Sequence, residues 1–109
     1  LADVFVLPSV TSSLGTESFG LVLIEAMACG TCVIGSSSGG IKDIIKDNSN
    51  GLIFKEKDVG DLANKIIRLL EDDRLRERLG KNGLRHARQN YDWNAISKKF
   101  LEIYREVLK

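Results

Sequence analysis

The sequence predicts an α/β domain in which a narrow parallel sheet is flanked by helices. Three short apolar runs, at residues 2–7, 31–35 and 51–54, are rich in β-branched or aromatic residues and are typical of buried strands. Helical patterns separate these runs, and strands that alternate with helices pair in parallel through crossover connections. After the third strand only helical patterns follow. We therefore expect one domain with a Rossmann-like sheet part at residues 1–57 and a helical part at residues 58–109.

The first helix is predicted from Phe19 or Gly20 to Cys29, between the first two strands. Ser18 precedes it as a favourable N-cap, because its hydroxyl can accept a hydrogen bond from an unpaired amide of the first turn. Gly30 follows it as a favourable C-terminal stop, since glycine readily adopts the left-handed conformation that ends many helices. Residue type therefore predicts both boundaries.

Four further helices are predicted, at about residues 41–46, 59–71, 73–89 and 92–108. The three longer ones have apolar residues at three- and four-residue spacing. Asp58 and Asp92 are favourable N-caps for the second and the last of the four. In the last helix Trp93, Phe100 and Tyr104 share one stripe, which favours packing over a stacking platform for bases.

Composition and charge narrow the classes of partner. The 109 residues contain 16 basic and 15 acidic side chains, and this net charge of +1 argues against nucleic acid as the main partner. No apolar run approaches the ~20 residues that a membrane-spanning helix needs, and residues 1–9 lack the pattern of a signal peptide. The chain starts at Leu1 within a predicted strand, so we expect a fragment of a longer, cytoplasmic protein.

The two cysteines, Cys29 and Cys32, form a C-x-x-C pattern. A redox pair favours a helix N-terminus, where the helix dipole stabilises a thiolate, but Cys29 is predicted at a helix C-terminus. A zinc site needs two more ligands, and the only histidine, His86, is distant and lies among charged residues typical of a solvated face. We therefore expect two small buried cysteines beside Gly30 and no metal.

Two predicted loops leave strands at the carboxyl edge of the sheet, where open α/β sheets bind ligands. They span residues 8–19 and 36–40, are rich in glycine and serine, and end at predicted helix N-termini. Backbone amides in such a corner favour phosphate. Neither loop fits the dinucleotide-binding or P-loop glycine patterns. The sequence thus indicates a generic phosphate site, and Ser36 to Ser38 are equally compatible with a simple polar turn.

Two glutamates sharpen this hypothesis. Glu17 precedes the predicted helix, and Glu25 lies inside it, about 7 Å along the axis from Gly20. A carboxylate only accepts hydrogen bonds, so Glu25 suits the vicinal hydroxyls of a ribose and Glu17 the hydroxyls of a group beyond a diphosphate. Hydroxyls on both sides of a diphosphate describe a nucleotide sugar. Two simpler interpretations stay open, Glu17 as an acid favoured by the helix dipole and Glu25 as a surface residue.

Several segments together resemble the donor-binding, C-terminal domain of the family 4 retaining glycosyltransferases, which are group 1 glycosyl transferases with the two-domain GT-B fold. The most specific element is Glu-Ser-Phe-Gly with seven residues between Glu17 and Glu25. Other matching segments are Ala-Asp-Val-Phe-Val-Leu-Pro-Ser, Glu-Ala-Met-Ala-Cys-Gly, Asn-Gly-Leu-Ile-Phe and Tyr-Asp-Trp. The chain departs from the family pattern at Cys32, where proline is frequent, and at Asp43, where glutamate is frequent.

The resemblance implies a fold and a donor site. The chain would be a partial C-terminal GT-B domain followed by C-terminal helices. The implied donor-binding residues are Glu17, Ser18, Phe19, Gly20, Leu21, Glu25, Gly39 and Gly40. Glu17 would be the catalytic residue and would contact donor-sugar hydroxyls near the reacting centre. Glu25 would bind the ribose, and backbone amides of Phe19, Gly20 and Leu21 would hold the sugar and the diphosphate.

The implied reaction is transfer of a glycosyl unit from a nucleotide-diphosphate sugar to an acceptor hydroxyl, with retained configuration and neither cofactor nor obligatory metal. The implied partners are the nucleotide sugar and an N-terminal acceptor-binding domain outside this chain. Nucleic acid is not expected, and peripheral membrane association of the longer protein stays open. The fragment alone is expected to be inactive. Two alternatives remain, a nucleotide-sugar epimerase-like enzyme of GT-B fold and a non-catalytic α/β regulatory module.

Overall fold

The strands form a parallel sheet, as the sequence predicts. A computed structural model describes residues 4–7, 15–37 and 41–108, with the side chains of residues 15–19, 100 and 103 outside the description. Its strands are β1 (Val4–Leu7), β2 (Cys32–Ser36) and β3 (Leu52–Phe54). Both pairings are parallel, and the order is β1-β2-β3. The predicted α/β fold class is therefore confirmed.

The central strand β2 is buried along its whole length. Val6 of β1 lies opposite Ile34, and Ile34 lies opposite Leu52 of β3. Every residue from Cys32 to Ser36 is buried, as is usual for a parallel strand covered by helices on both faces. The sequence of β2 is accordingly a continuous run of small and apolar residues, without polar alternation.

Helices cover the sheet. Those in the described part of the chain are α1 (Gly15–Ala28), α2 (Ile41–Ile44), α3 (Val59–Glu71), α4 (Asp73–Asn90) and α5 (Trp93–Leu108). The carboxylates of Asp58 and Asp92 accept hydrogen bonds from first-turn amides of α3 and α5 at 2.9 and 3.0 Å, which confirms the predicted N-caps. Asp72 caps α4 in the same way at 2.9 Å. Within these ranges no helix combines the length and the apolar character needed to cross a bilayer.

The start of α1 differs from the prediction. The helix begins at Gly15 and not at Phe19 or Gly20, so Glu17 lies in its first turn and not in a preceding loop. Ser18 has helical backbone conformation and hence is not the N-cap, which needs a non-helical one. The helical extension is favoured because an acidic side chain in the first turn is stabilised by the positive end of the helix dipole.

The end of α1 lies where the sequence predicts it. The helix ends at Ala28, and Gly30 has a φ of 76°, the left-handed conformation that glycine adopts without steric penalty. Helix α4 packs directly against this end. A Cβ atom on Gly80 would lie only 2.6 Å from the carbonyl oxygen of Gly30, so a glycine is what permits this close approach. The C-terminal end of α1 is therefore held against α4.

Two apolar clusters form the core, and β2 contributes to both. Val33 belongs to the first cluster, together with side chains of α1, α2, α4 and α5 such as Met27 and Ile96. Cys32 and Ile34 belong to the second, together with side chains of β3, α3 and α4. Because successive side chains of a strand point to opposite faces, the two clusters lie on opposite sides of the sheet.

Among the described side chains of α5, those shielded from solvent lie near its start. Ile96 is 8% exposed, whereas Tyr104 is 64% and Val107 is 63% exposed. The apolar stripe predicted to pack therefore does so in the first turns, and the prediction is wrong for Tyr104. Tyr104 instead lines an open cleft between α5 and α1.

Candidate functional site

The candidate site lies at the carboxyl edge of the sheet, beside the start of α1. In a parallel sheet with crossover helices, the ends of β1 and β2 and the starts of α1 and α2 lie at this same edge. Residues 8–14 and 38–40 belong to the predicted loops and lie outside the described residues, and Gly39 and Gly40 are among them. The start of α1 and the turn after β2 belong to the described part of this edge.

The turn after β2 is fixed by structural hydrogen bonds. The amide of Ser37 donates to the carbonyl oxygen of Phe54 at 2.9 Å, and Ser37 Oγ accepts from the amide of Glu56 at 3.0 Å. Ser36 is fully buried. Of the two interpretations of this segment, a polar turn is sufficient for Ser37. The phosphate hypothesis therefore depends on α1.

Helix α1 brings six of the predicted donor residues onto one element. Glu17, Ser18 and Phe19 lie in its first turns, with side chains outside the described residues. Gly20 and Leu21 follow, and the Leu21 side chain is only 8% exposed because it packs in the core. The first four amides of a helix lack an intrahelical partner. In this structure they belong to residues 15–18, so the predicted amides of Phe19, Gly20 and Leu21 lie inside the helix instead of at its open end.

Glu25, the sixth of these residues, lies on the outer face of α1. Val22, Glu25 and Cys29 follow one another at three- and four-residue spacing and are all exposed, while the opposite face of the helix is buried in the first cluster. No hydrogen bond or ion pair joins the Glu25 side chain to another described residue. Glu25 is therefore a surface residue of α1. A carboxylate in this state is hydrated and available to a ligand.

A cleft next to Glu25 separates α1 from α5. It has a volume of about 510 Å³ and is lined by Glu25 together with Ser97, Leu101 and Tyr104 of α5. This volume is within the range of about 300–1,000 Å³ common for small-molecule sites. The lining combines a hydrogen-bond acceptor, two hydroxyls, an aliphatic side chain and an aromatic ring. Such a surface suits a ligand that carries hydroxyls next to a flat apolar group.

The cysteines differ from each other. Cys32 is buried in β2, as predicted, and burial raises the pKa of its thiol to about 11, although nearby Arg76 opposes the shift. Cys29 is exposed, so the prediction of two buried cysteines is wrong for it, because it shares the outer face of α1 with Glu25. The Cys32 thiol stays protonated at neutral pH and is a poor metal ligand or nucleophile. Among the described residues no group of three or more metal-ligating side chains comes together.

His86 does not lie on a solvated face, contrary to the prediction. Its ring is half-buried and makes an edge contact with Tyr91 at a centroid distance of 5.8 Å. Nδ1 lies 3.3 Å from Nδ2, the side-chain amide nitrogen of Asn90. Nε2 is buried without a hydrogen-bond partner in the part of the chain that the structure describes. The reason is that His86 lies beside Ala87 and three residues from Gly83, both of which are buried against α1 and the sheet.

Sequence reasoning missed the contribution of α5 to the cleft. Ser97, Leu101 and Tyr104 follow one another at four- and three-residue spacing, so their shared face is visible in the sequence. What the sequence does not show is that this face lies opposite Glu25, because that depends on how α5 crosses α1. The sequence therefore indicates this face of α5 but not its position opposite Glu25.

The chain matches known proteins over most of its length. The model of the family described as glycosyl transferases group 1 matches residues 1–86. The D-inositol 3-phosphate glycosyltransferase of Thermomonospora curvata is 40% identical over 103 residues, which are 94% of this chain and 22% of that protein. The chain thus spans only 22% to 27% of the length of such curated relatives.

Solved structures share the fold. Sucrose-phosphate synthase from Thermosynechococcus elongatus is 37% identical with a TM-score of 0.74, over 98% of this chain and 26% of that one. The Anabaena protein HepE, solved in complex with UDP and glucose, is 27% identical with a TM-score of 0.74, over 95% of this chain and 27% of that one. These neighbours confirm the predicted fold, a Rossmann-like sheet with flanking helices from the C-terminal domain of the GT-B architecture.

Proposed function

Because the chain belongs to the group 1 glycosyl transferases, we propose that it is the donor-binding part of an enzyme that transfers a glycosyl unit from a nucleotide-diphosphate sugar to an acceptor hydroxyl. The observation that carries this proposal is the position of Glu25. It is an exposed carboxylate without a partner among the described residues, on the helix that starts at the carboxyl edge of the sheet, and it faces a cleft of about 510 Å³. The complexes of Anabaena HepE with UDP and glucose support a nucleotide sugar as the ligand class.

In the proposed complex the diphosphate binds at the positive end of α1, near the unpaired backbone amides of residues 15–18. The ribose lies further along the helix, where Glu25 accepts hydrogen bonds from its two hydroxyls. Glu17 lies eight residues earlier, more than two turns toward the start of the helix, and accepts from hydroxyls of the donor sugar. Gly39 and Gly40 would line the cleft from the neighbouring loop. The donor therefore runs along α1 from its start toward its middle.

The proposed catalysis is electrostatic. When the glycosyl unit leaves, negative charge develops on the departing diphosphate, and the positive end of α1 stabilises it where it forms. We propose that this replaces an obligatory metal, and that the configuration at the transferred carbon is retained. Glu17 is the catalytic residue of the proposal because it contacts the sugar next to the bond that breaks. The family resemblance supports these assignments.

The acceptor is proposed to bind in a further domain of a longer protein, so that this chain alone turns over no donor. A cytoplasmic location agrees with two free thiols, Cys29 and Cys32. Transferase turnover by the isolated chain would contradict the requirement for a second domain. In a longer protein that contains the chain, Glu17→Gln should abolish turnover while leaving donor binding measurable.

The direct test is calorimetric titration of UDP-glucose, and of a guanosine-diphosphate sugar, into the chain and into Glu25→Gln. The substitution removes charge-assisted hydrogen bonds, so the Kd should rise about ten- to hundredfold. Glu71→Gln is the matched control, because Glu71 is also exposed on a helix and lies outside the cleft. An unchanged Kd in Glu25→Gln, or no binding of either nucleotide sugar, would overturn the proposal.

A further inference from the structure

Helix α4 carries a row of cations along its outer surface. The row, named here the basic stripe, consists of Arg74, Arg78, Lys81, Arg85 and Arg88, all of which are exposed. They follow one another at alternating four- and three-residue spacing. At about 100° of rotation per residue, that spacing keeps all five within an arc of about 80°. The stripe extends for about 21 Å along the helix.

The opposite face of α4 is already occupied. Leu75, Leu79, Gly83 and Ala87 are buried against α1 and the sheet, so the basic stripe points away from the body of the domain. A free amphipathic helix could insert its apolar face into a membrane or a partner groove. Helix α4 has no apolar face left for this. Any partner of the stripe must therefore be held by charge.

Most of the charge of the stripe is available. Lys81 pairs with Glu77 at 3.0 Å, and Arg78 donates to the carbonyl oxygen of Asn48 at 3.3 Å, so two cations have neighbours. Arg74, Arg85 and Arg88 form no ion pair with any other described residue. Because the whole chain carries a net charge of only +1, the stripe is a strong local concentration of positive charge.

Two surface depressions lie between these side chains. One, of about 320 Å³, is lined by residues from Arg74 to Arg85, and the other, of about 410 Å³, by residues from Lys81 to Gln89. Each contains at least three cations of the stripe. A phosphate headgroup seated in either depression could accept hydrogen bonds from more than one guanidinium.

We propose that the basic stripe docks the domain on the surface of an anionic lipid bilayer. A straight row of cations on a convex helix face matches a planar array of phosphates, and polybasic helix faces with four to eight cations bind such surfaces. Stacking proteins that hold single-stranded nucleic acid interleave aromatic residues with cations, and residues 73–90 contain no phenylalanine, tyrosine or tryptophan. The proposed contact is peripheral and electrostatic. It uses the outer face of α4, whereas α1 packs against the opposite face of that helix.

The test is co-sedimentation of the full chain with vesicles of phosphatidylcholine alone and with 30% phosphatidylglycerol, at low and at moderate salt. Binding is expected only to the anionic vesicles and should fall steeply as salt screens the charges. The triple variant Arg74→Gln, Arg85→Gln, Arg88→Gln removes the three cations without an ion pair. Its affinity should be about a hundredfold lower, since each cation near an anionic surface contributes about fivefold.

The matched control removes the same charge elsewhere, by Arg68→Gln, Lys98→Gln and Arg105→Gln, three exposed cations outside α4. It should keep near-original affinity, and circular dichroism should show both triple variants folded. Equal losses in the two variants would mean that only net charge matters and would overturn the proposal. So would the absence of binding to anionic vesicles, or tighter binding to duplex DNA than to the vesicles at the same salt. The readout is independent of nucleotide-sugar binding, so the proposed function can fail without affecting it.

Discussion

Helices α1 and α4 pack in similar ways but expose surfaces of different chemical character. Each helix buries one face against β2 and against the other helix, and each exposes its opposite face to solvent. In the described part of α1 the exposed residues are Val22 and Glu25, whereas the exposed face of α4 carries the five cations of the basic stripe. A single charged residue in an apolar helix, such as Glu25, is easily noticed in a sequence. The cations of α4 are less noticeable, because the helix is polar throughout and only its structure shows that they lie in one row.

The contact between the two helices can be broken at Gly80. The substitution Gly80→Ala places a Cβ 2.6 Å from the backbone oxygen of Gly30, and overpacking of this kind destabilises by about 1–3 kcal/mol. Gly60→Ala is the matched control, since its Cβ would meet nothing closer than 3.4 Å. It should gain up to about 1 kcal/mol from helix propensity. Chemical denaturation should show the free energies of unfolding moving in opposite directions, and equal changes would contradict the close approach.

The sheet beneath the two helices should lose stability at alkaline pH through Cys32. Burial raises the pKa of this thiol from 9.0 to about 11, so the unfolded chain loses its thiol proton at a lower pH than the folded one. The stability contributed by the protonated thiol is complete below pH 9 and falls as the pH rises toward 11. With solvent screening, the loss should be about 1–2 kcal/mol.

The control for this effect is Cys32→Ala, whose free energy of unfolding should fall less between pH 8.5 and 10.5. Burial also raises the pKa of Tyr91. Because this phenol is present in both chains, its contribution to the pH dependence cancels in the comparison. Parallel pH profiles for the two chains would show that the thiol is not protected by the fold.

The exposed charges of Glu25 and the basic stripe should contribute least to the free energy of unfolding. Glu25→Gln and the triple variant of the basic stripe are each expected to change the free energy of unfolding by less than about 0.5 kcal/mol per site, as is usual for exposed side chains. Their effects should appear in ligand and vesicle binding instead. A loss of several kcal/mol in thermal unfolding would mean that these side chains are structural.

The sheet and the later helices follow from the sequence because their signals are local. The apolar run of β2 and the carboxylate of Asp58 before α3 each specify an element without reference to distant residues. The start of α1 does not, because a loop rich in serine, threonine and glycine offers several caps of similar quality. The choice of Ser18 was wrong, because the sequence does not indicate which of these residues begins the helix.

The sequence identifies candidate residues for the site but not what surrounds them. The separation of Glu17 and Glu25 along the chain is read directly from the sequence, but Glu17 was predicted before the helix and lies in its first turn. The exposure of Glu25 does not, because nearly every neighbour of this residue along α1 is apolar, and only the packing of α1 decides which face is covered. The same is true of Cys29, which shares that face. The cleft is harder still to predict, because the residues of α5 that line it lie more than seventy positions from Glu25 in the sequence.

The glycine contact between α4 and the end of α1 also bears on how such domains diversify. Helix α1 is anchored at its far end, through Gly30 and Gly80, whereas its near end adjoins the connection from β1. Insertions or deletions in that connection can therefore change the surroundings of the start of α1 without displacing Glu25. In the donor site proposed above, such a change would alter the surroundings of the sugar and leave the proposed contact between Glu25 and the ribose in place.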